Sequence, residues 1–181
     1  MNTHKKPKKL PIFTAPFKNP HRRKTPIWVP PIKFYGDSSD CLLVGFDTEY
    51  KNEGDSNKLL SYQFSAKHPN GAEWKGIGYL NNDKDRIPLS DFFEWVFSEG
   101  YKQHNLTDYP KKIYFIGHFT IADLPGFSNF KTMKTMVNAV QKCLITTARG
   151  TKVEMTNADG EAFSINAILR DSKLLAPSGK Q

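Results

Sequence analysis

Short apolar stretches bounded by turn residues predict three strands in the first half of the chain. The stretches lie at residues 41–47, 58–66 and 73–80, with apolar positions that alternate or run continuously. Asn70-Gly71, between the second and third stretches, is a dipeptide that is frequent in two-residue hairpin turns. Because the links are short, we expect the three strands to pair as an antiparallel meander.

An amphipathic helix is predicted directly after the meander. Phe92, Trp95 and Val96 recur at helical spacing in the segment 91–101, so they form one apolar face. Ser90 precedes this segment and is the predicted N-cap, because a serine hydroxyl accepts hydrogen bonds from the first N–H groups of a helix.

The second half of the chain opens with a short apolar strand at 111–117. A helix is expected to start near Thr120 and to be disturbed by Pro125, and a weaker helix is predicted over 131–141. A hairpin is predicted near the end of the chain. Its strands are the stretches 151–156 and 161–169, and its turn is Asn-Ala-Asp-Gly at 157–160.

The order of these elements predicts an α/β fold with a mixed sheet and a leading antiparallel meander. A doubly wound parallel sheet would alternate strands and helices from the start, and this chain does not. The sequence also has no glycine-rich phosphate loop of the dinucleotide or P-loop type.

Charge divides the chain into two parts. Residues 1–36 hold nine Lys and Arg, seven Pro and no Asp or Glu, whereas residues 37–181 are nearly neutral. Such a composition cannot build a core, so 1–36 is predicted to be a basic, Pro-rich arm and 37–181 a folded domain. The arm has two interpretations, contact with nucleic-acid phosphates or a solvated tail.

The cysteines and the lengths of the apolar runs limit the cellular location that we expect. Cys41 and Cys143 both lie in apolar runs, which favours buried free thiols over a disulfide, and their spacing is not that of a zinc site. No apolar run approaches the about 20 residues of a membrane span, and no signal peptide is visible. We therefore expect a cytoplasmic protein without a membrane partner.

Two acidic residues stand where the first strand stops. Asp47 and Glu49 are two positions apart, so on a strand they share a face. Asp123 follows the strand 111–117 and can approach them if the two strands are neighbours. Three carboxylates around one cleft favour a hard divalent cation such as Mg²⁺ or Mn²⁺, and two such ions support phosphodiester displacement. The alternative is a solvated strand end.

Three segments carry a resemblance to a known family. DTEY at 47–50 and GHFTIAD at 117–123 are similar to the first two motifs of DEDD-type 3′–5′ exonucleases, which have a ribonuclease-H-like fold. ILRDSKLLAP at 168–177 resembles the single-strand contact segment of protein-primed family B DNA polymerases. The chain thus resembles the N-terminal proofreading domain of such a polymerase, of the protein-primed or the primer-independent, mobile-element group.

The resemblance assigns roles to particular residues. It implies that Asp47, Glu49 and Asp123 are catalytic and bind two Mg²⁺ or Mn²⁺ ions in the complete site. It also implies that six residues contact the 3′ end of single-stranded DNA: His118, Phe119, Arg170, Ser172, Lys173 and Leu174.

This chain departs from the family pattern at several positions. Phe119 stands where Asn is usual, and it can stack on a base but cannot donate amide hydrogen bonds. Ala122 replaces an aromatic residue, and Lys173 replaces a leucine. The family's third motif, a Tyr or His three residues before an Asp, does not follow Asp171. The resemblance therefore implies a fold that is incomplete at the C-terminus and a fragment that is inactive alone.

Three functions follow as hypotheses. The first is part of a DNA-directed DNA polymerase that contributes the 3′–5′ exonuclease site for proofreading in a bacterial or phage-infected cell. The second is a non-catalytic module that binds single-stranded nucleic acid. The third is a structural piece that completes a polymerase fold with the remainder of the polymerase chain.

Overall fold

A six-stranded mixed sheet is the centre of the computed structural model, which describes residues 32–35, 40–54, 56–156 and 162–175. The strands are β1 (Lys33–Tyr35), β2 (Leu42–Glu53), β3 (Ser56–Lys67), β4 (Glu73–Tyr79), β5 (Asp108–Pro110), β6 (Lys112–Gly117), β7 (Asn138–Val140), β8 (Cys143–Ile145), β9 (Thr151–Thr156) and β10 (Ala162–Asp171). The helices are α1 (Leu89–His104), α2 (Thr120–Asp123) and α3 (Phe130–Met133). Short 3₁₀ turns lie at Asp83–Asp85, Leu124–Gly126 and Ser172–Leu175.

The order of strands across the sheet is β4-β3-β2-β6-β10-β9. Strands β2, β3 and β4 form an antiparallel meander, β6 is parallel to both β2 and β10, and β9 returns antiparallel to β10. The predicted mixed α/β sheet with its leading meander is therefore confirmed, and the arrangement is compatible with a ribonuclease-H-like fold. The predicted hairpin of β9 and β10 is also confirmed, although its turn at 157–160 lies outside the described residues.

One face of the sheet is buried under α1. Leu42, Val44 and Phe46 alternate with exposed or half-buried positions on β2 and point to this face. The ring of Phe92 on α1 lies near the rings of Phe64, Phe115 and Phe127. Burial of each such side chain contributes roughly 1.5–3 kcal/mol. The aromatic residues therefore join helix and sheet in a single core.

The start of α1 differs from the prediction. Ser90 lies inside the helix, which begins at Leu89 with Pro88 in the N-cap position. The free N–H of Leu89 donates instead to Asn129 Oδ1, 3.1 Å away. A side chain 40 residues further along the chain therefore replaces the local cap that the sequence indicated.

The predicted helix over 131–141 is wrong beyond its first turn. Helix α3 ends at Met133, and Asn138–Val140 form β7, which pairs with β8. The hairpin turn places Gln141 and Lys142 at φ 47° and 65°, in the left-handed region. Because this conformation is usually signalled by Gly or Asn, no local signal in the sequence predicted the turn.

Residues 33–35, at the end of the segment predicted as a basic arm, form β1 and pair in parallel with β5. Phe34 stacks on Phe163 with ring centroids 4.8 Å apart and meets Phe97 edge-on. Residues 1–31, which include most of the predicted arm, lie outside the described residues. Cys41 and Cys143 are free thiols, and Cys143 is buried.

No helix in the described ranges is long and apolar enough to cross a membrane.

Replacement of Asn129 by Ala should destabilise the fold by about 1 kcal/mol, because Leu89 N–H then loses its acceptor. Urea unfolding followed by circular dichroism measures the change. Asn57→Ala, at an exposed strand position, is the matched control and should change the free energy of unfolding by less than about 0.5 kcal/mol. Equal losses in the two variants would contradict the capping role.

Candidate active site

The carboxyl ends of three parallel strands meet at one edge of the sheet. Leu42–Gly45 of β2 pair with Ile113–Ile116 of β6, and Asn166–Asp171 of β10 pair with Lys112–Gly117 on its other side. The residues singled out in the sequence lie here: Asp47 and Glu49, His118 to Asp123, and Arg170 to Leu174. The first strand is predicted to stop at residue 47, but β2 runs on to Glu53, so Asp47 and Glu49 lie within the strand, just past its pairing with β6.

Asp47 and Glu49 lie on the exposed face of β2. Both side chains are exposed, whereas Thr48 between them is buried on the opposite face. Gln63 Nε2 donates to Glu49 Oε1 at 3.4 Å, and among the described residues neither acid makes an ion pair. A shallow depression beside Asp47 is lined by Gly45, Gln63 and Ser65. The two carboxylates are therefore open to solvent and to ligands.

Asp123 lies against β2 and is held by Thr48. Its Oδ1 accepts hydrogen bonds from Thr48 Oγ1 at 2.6 Å and from Thr48 N at 3.2 Å. Burial raises the pKa of Asp123 to about 6; the Thr48 bonds oppose this rise, and the negative charges of Asp47 and Asp171 add to it. Asp123 is thus a buried carboxyl close enough to Asp47 for the two charges to interact.

Asp171 is a second buried carboxyl, with a different environment. Burial acts to raise its pKa, but hydrogen bonds from Thr120, Lys173 and Phe119 outweigh burial and hold the pKa below its ordinary value. Its oxygens accept from Phe119 N, Thr120 N, Thr120 Oγ1 and Lys173 N at 2.7–3.0 Å. Asp171 therefore remains ionised at neutral pH and caps the start of α2.

Four residues predicted to contact DNA lie together beside this carboxylate. The Lys173 ammonium is 4.0 Å from the centre of the Phe119 ring, and His118 Nδ1 is 3.1 Å from Ser172 Oγ. Phe119 is 36% exposed, so its ring remains partly available to a ligand. Two turns that are far apart in the sequence thus form one surface of aromatic, cationic and polar groups.

The other two predicted contact residues are placed differently. Arg170 Nη1 donates to the backbone carbonyls of Thr146 and Leu169, so part of its guanidinium binds the protein itself. Leu174 is half-buried in the 3₁₀ turn that follows β10.

The end of β6 allows the close approach of its neighbours. A Cβ added to Gly117 would lie 2.7 Å from Thr120 Cγ2 and 2.9 Å from the Phe46 ring. Those distances are too short for carbon atoms, so a glycine is required where the strand turns into α2.

The acidic residues fit a hard cation by their chemistry. They supply only carboxylate oxygens, and within the described segments no donor is placed on Asp123 Oδ2. Burial is the main cause of the raised pKa of Asp123, and the negative charges of Asp47 and Asp171 add to it; a bound cation relieves this added repulsion. The described residues nevertheless contain no group of three or more His, Cys, Asp or Glu side chains already gathered around one point.

Sequence reasoning missed three residues of this edge: Thr48, Thr120 and Asp171. Strand alternation implies only that Thr48 lies on the face opposite Asp47 and Glu49. Which carboxylate each threonine binds depends on contacts between residues 51 or more positions apart.

Comparison with curated proteins identifies a similar polymerase. The chain is 34% identical over 98 residues to the primer-independent DNA polymerase PolB of Escherichia coli. That region is 51% of this chain and 11% of the polymerase, so the chain spans about a tenth of the relative's length. No family model and no solved structure matches the chain. The similarity relates the chain to part of a DNA polymerase.

The raised pKa of Asp123 predicts a pH-dependent stability. Between its unfolded value near 3.8 and about 6, Asp123 is protonated in the folded state and ionised in the unfolded state. Stability should therefore fall as pH rises through this window, by up to roughly 3 kcal/mol at about 1.4 kcal/mol per pKa unit.

Urea unfolding at pH values from about 4 to about 7, with a chelator present, measures this dependence. Asp123→Asn keeps an acceptor for Thr48 but cannot titrate, so the difference between the wild type and this variant isolates the contribution of Asp123. A difference that does not change across the window would contradict the assignment.

Proposed function

We propose that this chain contributes part of the 3′–5′ proofreading exonuclease site of a DNA-directed DNA polymerase. The observation that carries the proposal is the approach of three segments around β6: β2 just past its pairing with β6, the chain that follows β6, and the turn that follows β10. One segment supplies two exposed acids, one supplies Asp123, and the third supplies Ser172 and Lys173. The likeness to a primer-independent DNA polymerase supports the same assignment.

Asp47, Glu49 and Asp123 are proposed to hold Mg²⁺ or Mn²⁺. A divalent cation held by these residues would supply positive charge for phosphodiester hydrolysis and would make a bound water more acidic. The two exposed acids face solvent, from which substrate arrives. Asp123 is fixed from behind by Thr48, which limits its rotation. The described residues do not already gather the three carboxylates around one point, so a cation would have to draw Asp123 and the two exposed acids together.

The cluster of His118, Phe119, Ser172 and Lys173 is proposed to hold the single-stranded 3′ end. An exposed aromatic ring stacks on a base without sequence preference, which suits proofreading because any base can be misinserted. The Lys173 ammonium adds attraction for the phosphate backbone. Arg170 and Leu174 border this surface, and the remainder of a polymerase chain is the proposed protein partner.

The metal site is tested by Mn²⁺ binding. Asp47→Asn and Glu49→Gln should each weaken Mn²⁺ binding roughly tenfold or more, because each removes a charged oxygen ligand. Electron paramagnetic resonance of free Mn²⁺ measures the bound fraction. Glu73→Gln, an exposed acid on β4 of the same sheet, is the matched control and should bind as the wild type does.

Two results would decide against the metal site. One is wild-type Mn²⁺ binding that is no stronger than binding by Asp47→Asn. The other is removal of 3′ nucleotides from a single-stranded oligonucleotide that survives Asp47→Asn, since a hydrolysis that depends on this site must be lost with it.

The strand-binding surface is tested by the affinity for a fluorescent oligo(dT). Phe119→Leu keeps an apolar side chain at an equally strained position but removes the π face, so the affinity should fall about fivefold or more. Fluorescence anisotropy at fixed salt concentration measures the change. Tyr79→Leu removes an exposed aromatic ring from the edge strand β4 and is the matched control.

The same measurements separate the nuclease from a non-catalytic binding module. A module predicts salt-sensitive binding of oligo(dT) that is unchanged by Asp47→Asn, together with no specific Mn²⁺ site. Equal affinities of Phe119→Leu and the wild type would contradict both functions, because both use this surface.

A further inference from the structure

We propose that Asp171 is a positioning residue that sets Phe119 and Lys173 opposite each other at the single-strand surface. The geometric part of the inference concerns this chain alone. Its consequence for DNA binding rests on the proposed function. Nothing in the family motifs or in the polymerase likeness assigns this role to the residue.

The carboxylate of Asp171 joins two separate segments. Oδ1 accepts from Phe119 N at 2.9 Å and from Lys173 N at 3.0 Å. Oδ2 accepts from Thr120 N at 2.7 Å and from Thr120 Oγ1 at 2.8 Å. The residue is 3% exposed, so these donors replace water around a buried charge. Hydrogen bonds to an ionised acceptor are roughly twice as strong as neutral ones, and here they connect β10 to the start of α2.

The first consequence concerns the backbone of Phe119. This residue has φ 60° and ψ 52°, a left-handed conformation that is strained for a bulky side chain. Consecutive N–H groups that include a left-handed residue can point into one concave anion site. The N–H groups of Phe119 and Thr120 both point to Asp171, so its charge stabilises the strained conformation that presents the ring.

The second consequence concerns Lys173. The bond from Lys173 N to Oδ1 of the residue two positions earlier closes a short turn at the start of Ser172–Leu175. The Lys173 side chain then lies 4.0 Å from the centre of the Phe119 ring. Both members of this cation–π pair are therefore attached through their backbones to the same carboxylate.

The arrangement also argues against Asp171 as a further metal ligand. Both of its oxygens are occupied by protein donors, whereas Asp123 Oδ2 has none among the described residues. Asn in place of Asp171 keeps the shape of the side chain but loses the charge and one acceptor oxygen. Whichever way its amide turns, the NH₂ group faces N–H donors from which it cannot accept, either Thr120 N–H or the N–H groups of Phe119 and Lys173. The side chain therefore no longer holds both segments together.

The geometric test is made without DNA. In the wild-type chain, the ring of Phe119 should shift the Lys173 ε-CH₂ protons upfield in the NMR spectrum, and Phe119→Leu should abolish the shift. Asp171→Asn should lose most of it while circular dichroism shows a retained fold. Asp108→Asn, at an exposed position, is the matched control and should keep it. Full retention of the shift in Asp171→Asn would overturn the proposal.

The functional test is a double-mutant cycle with oligo(dT). Asp171→Asn should weaken binding about fivefold or more, as Phe119→Leu does. The double variant should bind within about twofold of Phe119→Leu, since a residue that acts by positioning the ring has no effect once the ring is gone. Losses that multiply in the double variant would overturn the role of Asp171 in presenting Phe119.

The two tests fail in different ways. Loss of the upfield shift together with no oligo(dT) binding by the wild type would uphold the positioning and reject the proposed function. Binding of oligo(dT) by the wild type, together with an upfield shift that is unchanged in Asp171→Asn, would reject the positioning and leave the proposed function standing. If Asp171→Asn does not fold, Asp171→Ser takes its place, because a serine hydroxyl still caps α2 but cannot reach both Phe119 and Lys173.

Discussion

Parallel pairing of β6 with both β2 and β10 is the constraint on which the candidate site depends. Parallel strands end at the same edge, so this pairing brings together segments whose contacts span 51 to 75 positions of the sequence. The core holds the strands in register through the aromatic residues of α1 and β6. A shift of β6 by one residue would turn its side chains to the other face and separate the segments.

The two buried carboxyls at this edge, Asp123 and Asp171, differ in the direction of their pKa shifts because they accept hydrogen bonds from different sets of donors. Asp123 has hydrogen bonds from one residue and a nearby negative charge, so burial prevails and raises its pKa. Asp171 has donors from three residues, and they outweigh burial. One group is therefore sensitive to any cation that approaches it, whereas the other is a permanent anion of the fold. Sequence alone does not distinguish them, because both are aspartates that follow an apolar strand.

Phe119 connects the strain of the backbone with the proposed chemistry. A left-handed conformation suits Asn, the residue usual at this position in the polymerases that the chain resembles. Phe is retained here although its side chain makes that conformation costly, and its ring faces Lys173, which stands in place of a leucine. Phe119 and Lys173, which both differ from the family pattern, contact each other. We therefore interpret them as a pair, in which an aromatic ring and a cation replace an amide and an apolar side chain.

The amino-acid sequence by itself determined the mixed sheet, the meander and the hairpin of β9 and β10, because strand alternation and turn residues are local signals. It also indicated the candidate site residues, through motifs that follow two apolar runs. It did not indicate the cap of α1 by Asn129, the hairpin at Gln141-Lys142, or the pairing of β1 with β5.

Only the tertiary structure decided how the candidate site is built. Thr48 binds Asp123, Thr120 binds Asp171, and Lys173 lies over Phe119, across 51 to 75 positions of sequence. Such contacts form when strands that are distant in sequence become neighbours in the sheet. Local propensity does not predict that pairing. Burial and hydrogen-bond donors, which set the charge of each carboxyl, follow directly from the pairing.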